Sequence, residues 1–322
     1  MTRVGVAFPD RSVTLASQRP RIPQLAALGY TDLWVGESDG ADAVTPLALA
    51  AGTAAPLRLG TAIMSVFTRP PALLAMTAAS LAEAATDGFV LGLGTSSPAI
   101  VERWNDLGFD RPLRRTRDVV AFLRAAFTGA RVRERYATFA VDGFALARRP
   151  DPPPPIYLAA LRPPTLELAA EIGDGVILTS LSANDLARMR PYLAPGKEVV
   201  AWITVCPCTD TERVREVART RLAGYLAVPS YAALHEWLGR GESLAPMRDA
   251  LSRGAGLAAA AAAIPDEVVD ALVVHGTPAE CHAHLDRYVA GGVTTPLIEV
   301  LPGVMDVGEA LRVLAPRDAA AS

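Results

Sequence analysis

The chain has 322 residues, about half of them apolar (51%), enough to bury the core of one large barrel or of two smaller domains. Its formal net charge is -3 and its charges are intermingled, so it lacks the basic stripe that nucleic acid or an anionic membrane surface requires. No apolar run approaches about 18 residues and no signal-peptide core opens the chain, so the expectation is a cytoplasmic protein with neither as partner.

Short β-rich runs alternate with helical patterns, the arrangement of parallel strands with crossover helices. Eight strands are predicted, at residues 4–8, 31–36, 57–63, 88–93, 155–160, 175–180, 198–206 and 295–301. Several are continuous apolar runs, as expected of strands covered on both faces. Helices are predicted at 46–54, 71–85, 113–127, 164–172 and 184–193, several with proline in the first turn. Eight strands close a (β/α)8 TIM barrel; a doubly wound open sheet is the alternative. The whole chain, 1–322, then forms one domain with two insertions. The first, 131–154 after strand four, holds an alternating run with Asp142-Gly143 as a turn. The second, 207–278 after strand seven, holds several helices and an alanine-rich linker at 255–263.

Three cysteines are too few for a disulfide framework. Cys206-Pro207-Cys208 has one residue between its thiols, and Cys281-His282-Ala283-His284 lacks a second half, so no metal is expected. Lys197, the only lysine, sits in a Pro-Gly turn, which disfavours Schiff-base chemistry.

Barrel enzymes work where strands end, so four strand ends are read for chemistry. Strand three runs Leu59-Gly60-Thr61-Ala62-Ile63-Met64 into Phe67-Thr68-Arg69-Pro70-Pro71. Strand four ends Leu91-Gly92-Leu93-Gly94-Thr95-Ser96-Ser97, strand five Ala159-Ala160-Leu161-Arg162-Pro163-Pro164, and strand two Trp34-Val35-Gly36-Glu37-Ser38-Asp39. By residue type alone these are glycine and proline turns opening helices, and Glu37 is as suited to an ion pair with Arg69 as to catalysis.

Together these segments resemble the luciferase-like (bacterial luciferase) superfamily, in its coenzyme F420-dependent branch. The resemblance extends to Glu102-Arg103-Trp104-Asn105, Tyr136 to Phe144, Val228 to Glu242 and Val274 to Pro278, and so covers nearly the whole chain. It implies a non-prolyl cis peptide at Ala62–Ile63 behind the cofactor ring, with Thr61 and Met64 beside it. It also implies a ring edge at Gly94, Thr95 and Ser96, and a phosphate at Ala159, Ala160, Leu161 and Arg162, with Thr179 completing the cofactor set. A solvated Arg162 beside a proline cap is the alternative to the phosphate clamp. Ser38 stands where related dehydrogenases keep a histidine, and Ser97 where they keep a glutamate. Glu37, Ser38, Asp39 and Ser97 are therefore the catalytic candidates. Trp104, Tyr231, His235 and Trp237 are the substrate candidates, with packing inside a helical lid as the alternative for the last three.

Hydroxyl oxidation needs a base that serine cannot supply, so the implied activity is an F420H2-dependent reductase acting on an activated C=C or C=N bond. The substrate would be a small molecule or modified peptide, such as a natural-product intermediate. The alternatives are a reduced-FMN monooxygenase and a cofactor-free, non-catalytic barrel subunit. Paired barrels are common in the family, which implies a homodimer.

Overall fold

The computed structural model describes residues 3–316. Eight parallel strands form its centre: β1 (Gly5–Ala7), β2 (Asp32–Val35), β3 (Arg58–Thr61), β4 (Phe89–Gly94), β5 (Ile156–Ala159), β6 (Gly175–Thr179), β7 (Glu198–Cys206) and β8 (Thr295–Val300). Each pairs with the next, and β8 pairs back to β1 with Val6 opposite Ile298, so the sheet closes into a (β/α)8 barrel. All eight predicted strands are present, and the open-sheet alternative is excluded by that last pairing.

The pleat divides each strand into two faces. Trp34, Val90, Tyr157, Ile177, Val200 and Leu297, one from each of six strands, form a cluster of their own inside the barrel. Their neighbours Leu33, Leu91, Leu158, Val176 and Ala201 pack outward into the main core under the helices. The interior has room for the Trp34 indole because β1 and β3 present glycine to it. A Cβ on Gly60 would lie 2.4 Å from the ring, and one on Gly5 3.1 Å. Below this layer, at the N-terminal ends of the strands, Arg58 binds Asp32 at 2.5 Å and Glu198 at 2.8 Å, while Arg3 reaches Asp32 at 2.8 Å. Such a plug serves stability, since the chemistry of this fold lies at the opposite end.

Helices Pro71–Ala84, Pro112–Phe127 and Pro163–Ile172 open on proline as expected, because the missing N–H would be unpaired there anyway. The helix expected at 46–54 is Val44–Ala51. The one expected at 184–193 is broken into the 3-10 turns Ala183–Asp185 and Arg190–Tyr192 around one helical turn, Leu186–Met189. Pro191 explains the break, since it lacks the N–H that would continue the ladder. Leu15–Gln18 and Arg21–Ala27, which the sequence reading passed over, fill the first crossover.

Residues 131–154 contain the antiparallel ribbon Val132–Arg135 and Ala140–Phe144. Asp142-Gly143 lies within its second strand and not at the turn, opposite a register shift at Val132/Arg133, where Gly143 takes φ +82°. Between β7 and β8 come helices Thr211–Leu226, Pro229–Trp237, Ala245–Ser252, Gly256–Ala262 and Asp266–Leu272, then a short strand, Val273–His275, paired to β7. The alanine-rich linker is thus a helix, the state alanine favours most. All of these helices but Pro229–Trp237, which packs on the main core through Leu234, share a separate apolar core around Val214, Leu222, Met247, Ala260, Ile264 and Val268.

Candidate active site at the barrel mouth

The C-terminal strand ends are shaped by a bulge after β3. The Ala62–Ile63 peptide is cis, the bond that the resemblance implied. The chain then rejoins the sheet as a two-residue strand, Met64–Ser65, beside β4. The bulge is held on both sides: the Ala62 amide donates to Val35 O at 2.7 Å, the Glu37 amide to Ile63 O at 3.3 Å, and the Val66 amide to Gly94 O at 3.0 Å. Only glycine fits around it, since a Cβ on Gly36 would lie 2.6 Å from Ala62 O and one on Gly94 2.9 Å from the Ile63 side chain. Thr61, fully buried, ties the two strands by exchanging hydrogen bonds with the backbone of Gly92, both at 2.8 Å. Ala7, Ala62, Ile63 and Trp202 cap the interior cluster and remain partly accessible. Ala7, Gly36, Ala62 and Ala159, small and partly accessible, form the floor of the mouth, with the Ile63 and Trp202 side chains beside them.

Arginine holds the carboxylates around this floor. Glu37 pairs with Arg69 at 2.5 Å and also accepts from the Ala43 amide, so its ion-pair reading is realised. Asp39 pairs with Arg11 at 2.7 Å; Arg11 also donates to Ser38 Oγ at 2.6 Å, and Ser38 in turn donates to Asp39 at 2.9 Å. The hydrogen bonds from Arg11 and Ser38 hold the Asp39 carboxyl below the usual carboxylate range. Arg11 belongs to the loop after β1, carries no motif, and was missed in the sequence. Ser97 accepts weakly from the Ile100 amide at 3.4 Å, beside Ser96 in the left-handed region at φ +62°.

At the end of β5 the amides of Leu161 and Arg162 both donate to Thr165 Oγ1, at 3.0 and 3.3 Å. Pro163 and Pro164 have no N–H to offer, so the donor left for an anion at this turn is the exposed Arg162 side chain.

The lid residues do not act alike. Tyr231 meets Tyr225 edge-on at 5.6 Å, and its hydroxyl is pushed up to about 12 by burial. His235 is fully buried, lies against Arg240, and is pushed down to about 4 by burial and then by the Arg240 charge. Arg240 binds Asp185 at 2.7 Å and Ser182 at 3.1 Å, and Trp237 packs on Tyr192 and under Arg188. His235 and Trp237 therefore fasten the lid to the segment after β6, the packing alternative, while Tyr231 packs against Tyr225 and the main core. Trp104 is 57% exposed at the end of the π-helix Ala99–Trp104. Thr179 lines a narrow cleft with Trp202, Thr204, Arg221, Tyr225 and Glu299, none of which had a sequence signal, and with apolar residues such as Leu222 and Leu301.

A family model described as luciferase-like monooxygenase matches residues 2–295. The chain belongs to this family. The luciferase-like chain is 24% identical over 307 residues to the 5,10-methylenetetrahydromethanopterin reductase of Archaeoglobus fulgidus, covering 91% of each. It is 29% identical over 213 residues to the F420-dependent glucose-6-phosphate dehydrogenase of Beutenbergia cavernae, covering 61% of this chain and 63% of that one. Among solved structures, the coenzyme F420-dependent tetrahydromethanopterin reductase of Methanopyrus kandleri superposes with a TM-score of 0.83 at 18% identity, covering 98% and 97%. A type II Baeyer-Villiger monooxygenase of Pseudomonas putida in complex with FMN superposes with a TM-score of 0.70 at 13% identity, covering 98% and 97%. Among the described residues no helix is long and apolar enough to cross a membrane.

Proposed function

We propose that this luciferase-like chain is a coenzyme F420-dependent reductase that delivers hydride to an activated C=C or C=N bond of a small molecule. The observation that carries the reading is the state of the mouth carboxylates: Arg69 holds Glu37 and Arg11 holds both Asp39 and Ser38. A dehydrogenase must remove a hydroxyl proton as hydride leaves, and a carboxylate tied to a guanidinium is a poor base for that task. Reduction asks less. It needs an acceptor held against the hydride donor and a proton drawn from water through Ser38 or Ser97.

The small-residue floor fits the ring. Ala7, Gly36, Ala62 and Ala159 project nothing that would hold a tricycle away, and the Ile63 side chain, seated over Gly94, would support it from behind. The bound coenzyme would supply a two-electron hydride donor. The protein's own contribution is orientation, since fixing donor and acceptor in a reactive geometry removes much of the barrier. Arg162 would hold the coenzyme's phosphate through its guanidinium. The test is anaerobic: reduced coenzyme F420 should be consumed by an electron-poor alkene or imine on addition of the protein.

The second reading, a reduced-FMN monooxygenase, draws on the FMN-containing neighbour, because flavin and deazaflavin rings have the same outline. Product that forms only with oxygen and reduced FMN would establish it in place of the first.

A further inference from the structure

The polar side of the narrow cleft continues the inner surface of the barrel. Side chains two residues apart share one face of a strand. Glu299, two past Leu297 on β8, and Thr204, two past Trp202 on β7, therefore point toward the mouth. Arg221 Nη2 donates to Glu299 Oε1, and Thr204 donates to Glu299 Oε2 at 3.3 Å. Tyr225, one turn after Arg221 on helix Thr211–Leu226, lines the same cleft with the Arg221 guanidinium 5.5 Å from its ring. The cleft has a volume of about 40 Å³, room for water and for no larger ligand.

Tyr225 stands apart from the other tyrosines. It is 40% exposed, whereas each of the others is buried or half-buried. Its hydroxyl has no hydrogen-bond partner among the described residues. Burial first, and then Glu299 and Asp39, push that hydroxyl above the usual tyrosine range, against the opposing pull of Arg221 and Arg11. A side chain that is exposed and yet crowded in this way lines a concave mouth open to water. The two ion pairs acting on it come from β8 and its neighbouring helix and from the loops after β1 and β2, which sets the hydroxyl at the rim on that side. Neighbouring groups are committed elsewhere: Glu37 and Asp39 are ion-paired, Ser38 donates to Asp39, and Thr204 donates to Glu299. A phenol, with an ordinary pKa of about 10, stays protonated near neutral pH and still gives up its proton far more readily than an aliphatic hydroxyl.

We infer that Tyr225 is the general acid of the reduction, the last donor on the route by which a proton passes from water to the substrate. The inference rests on the reductase reading, and Ser38 and Ser97 then lie along that route and not at its end. As hydride reaches one atom of the C=C or C=N bond, the π pair at the other atom takes the Tyr225 proton, so that O–H breaks as C–H or N–H forms. The substrate gains the two electrons that the reduced coenzyme loses. The phenolate left behind meets the Arg221 and Arg11 charges, which favour the ionised form, and it regains its proton from water. Thr204 and Glu299 give the cleft the polar partners that such a water needs.

The probes are 2,6,6-trimethylcyclohex-2-ene-1,4-dione, a neutral electron-poor alkene that needs a proton, and N-methyl-3,4-dihydroisoquinolinium, whose C=N bond accepts hydride and needs none. With reduced coenzyme F420 and no oxygen, Tyr225→Phe should lower kcat for the alkene about a hundredfold, while its KM and the iminium rate stay within about twofold. Equal losses for both acceptors, or no loss for either, would overturn the assignment. Reduction of the iminium alone by the unmodified protein would overturn it as well, since a working acid serves the alkene. A second measurement needs neither coenzyme nor turnover: N-acetylimidazole should acetylate Tyr225 before any other tyrosine, read by mass spectrometry of peptides. No reaction at Tyr225 would mean a hydroxyl closed to water, which an acid recharged from solvent cannot be. Failure of both acceptors to oxidise the reduced coenzyme in the unmodified protein overturns the reductase reading and the acid with it; brisk reduction of both that ignores Tyr225→Phe overturns the acid alone.

Discussion

Glu37 and Arg69, at the ends of two adjacent barrel strands, are joined at 2.5 Å, and the Arg69 Nε is buried with no hydrogen-bond partner. The guanidinium is held chiefly by Glu37, which is itself fixed by the Ala43 amide at 3.0 Å, with Asp42 at 4.0 Å as a second, longer ion pair. Arg69→Met would leave Glu37 charged and partly desolvated, at a cost of about 1–3 kcal/mol once its remaining access to water is counted. A urea midpoint indistinguishable from that of the unmodified protein would show that the pair adds nothing to stability.

Gly60→Ala tests how the barrel interior is filled. The added methyl would lie 2.4 Å from a Trp34 ring that is fully buried and has no space to retreat into. Overpacking of this kind costs about 3 kcal/mol. Combining it with Trp34→Phe should recover part of the loss, because the smaller ring vacates the contact. Additive destabilisation in the double variant would contradict this picture.

His235 gives a stability term with a defined sign. Its folded-state pKa of about 4 lies below the ordinary 6.5, because burial and Arg240 oppose its charge. Between those values the unfolded chain takes up a proton that the folded chain refuses, so the contribution is complete above about 6.5 and is lost as pH falls toward 4. The loss amounts to about 3 kcal/mol. In His235→Phe the slope of unfolding free energy over that window should flatten relative to the unmodified protein. Parallel slopes would mean that the imidazole charges freely where it lies.

These cases mark what could be read from sequence. Strand positions were legible because barrel strands covered on both faces are short apolar runs between turn residues, whereas the bulge after β3 was legible only through the family resemblance of that segment. The lid was harder. Tyr231, His235 and Trp237 share one helix, but periodicity cannot tell which face meets the mouth when both sides are packed; His235 turns toward Arg240 and Trp237 toward Tyr192. The Arg221–Glu299 contact joins residues 78 apart, and Arg11 reaches Asp39 across 28, so neither pair leaves a local pattern.

Arg162→Ala examines the phosphate site. With both nearby amides engaged by Thr165 and two prolines following, the guanidinium is the main donor available to an anion. Affinity for coenzyme F420 should fall by about tenfold, the size of one charge-assisted contact, while a phosphate-free deazaflavin riboside should bind as before. Equal losses for both ligands would place the phosphate elsewhere.

The direction of the reaction follows from the hydrogen bonds around Ser38. Its hydroxyl accepts from Arg11 and donates to Asp39, so the serine has no free base behind it, and Asp39 is held below the usual carboxylate range by the same arginine. The Ser97 hydroxyl accepts from the Ile100 amide at 3.4 Å. Oxidising a secondary alcohol would require one of these groups to accept a proton near neutral pH, for which neither hydroxyl is suited. Simple sugars and secondary alcohols should therefore leave oxidised coenzyme F420 unbleached, whereas an electron-poor alkene or imine should oxidise the reduced form without oxygen. Because solvent supplies the proton, the anaerobic rate should change little between about pH 6 and 8. Introducing Ser38→His with Ser97→Glu restores a base and an acid at those two positions, and measurable alcohol-dependent bleaching should then appear. Brisk bleaching by alcohols in the unmodified protein would reverse the assigned direction.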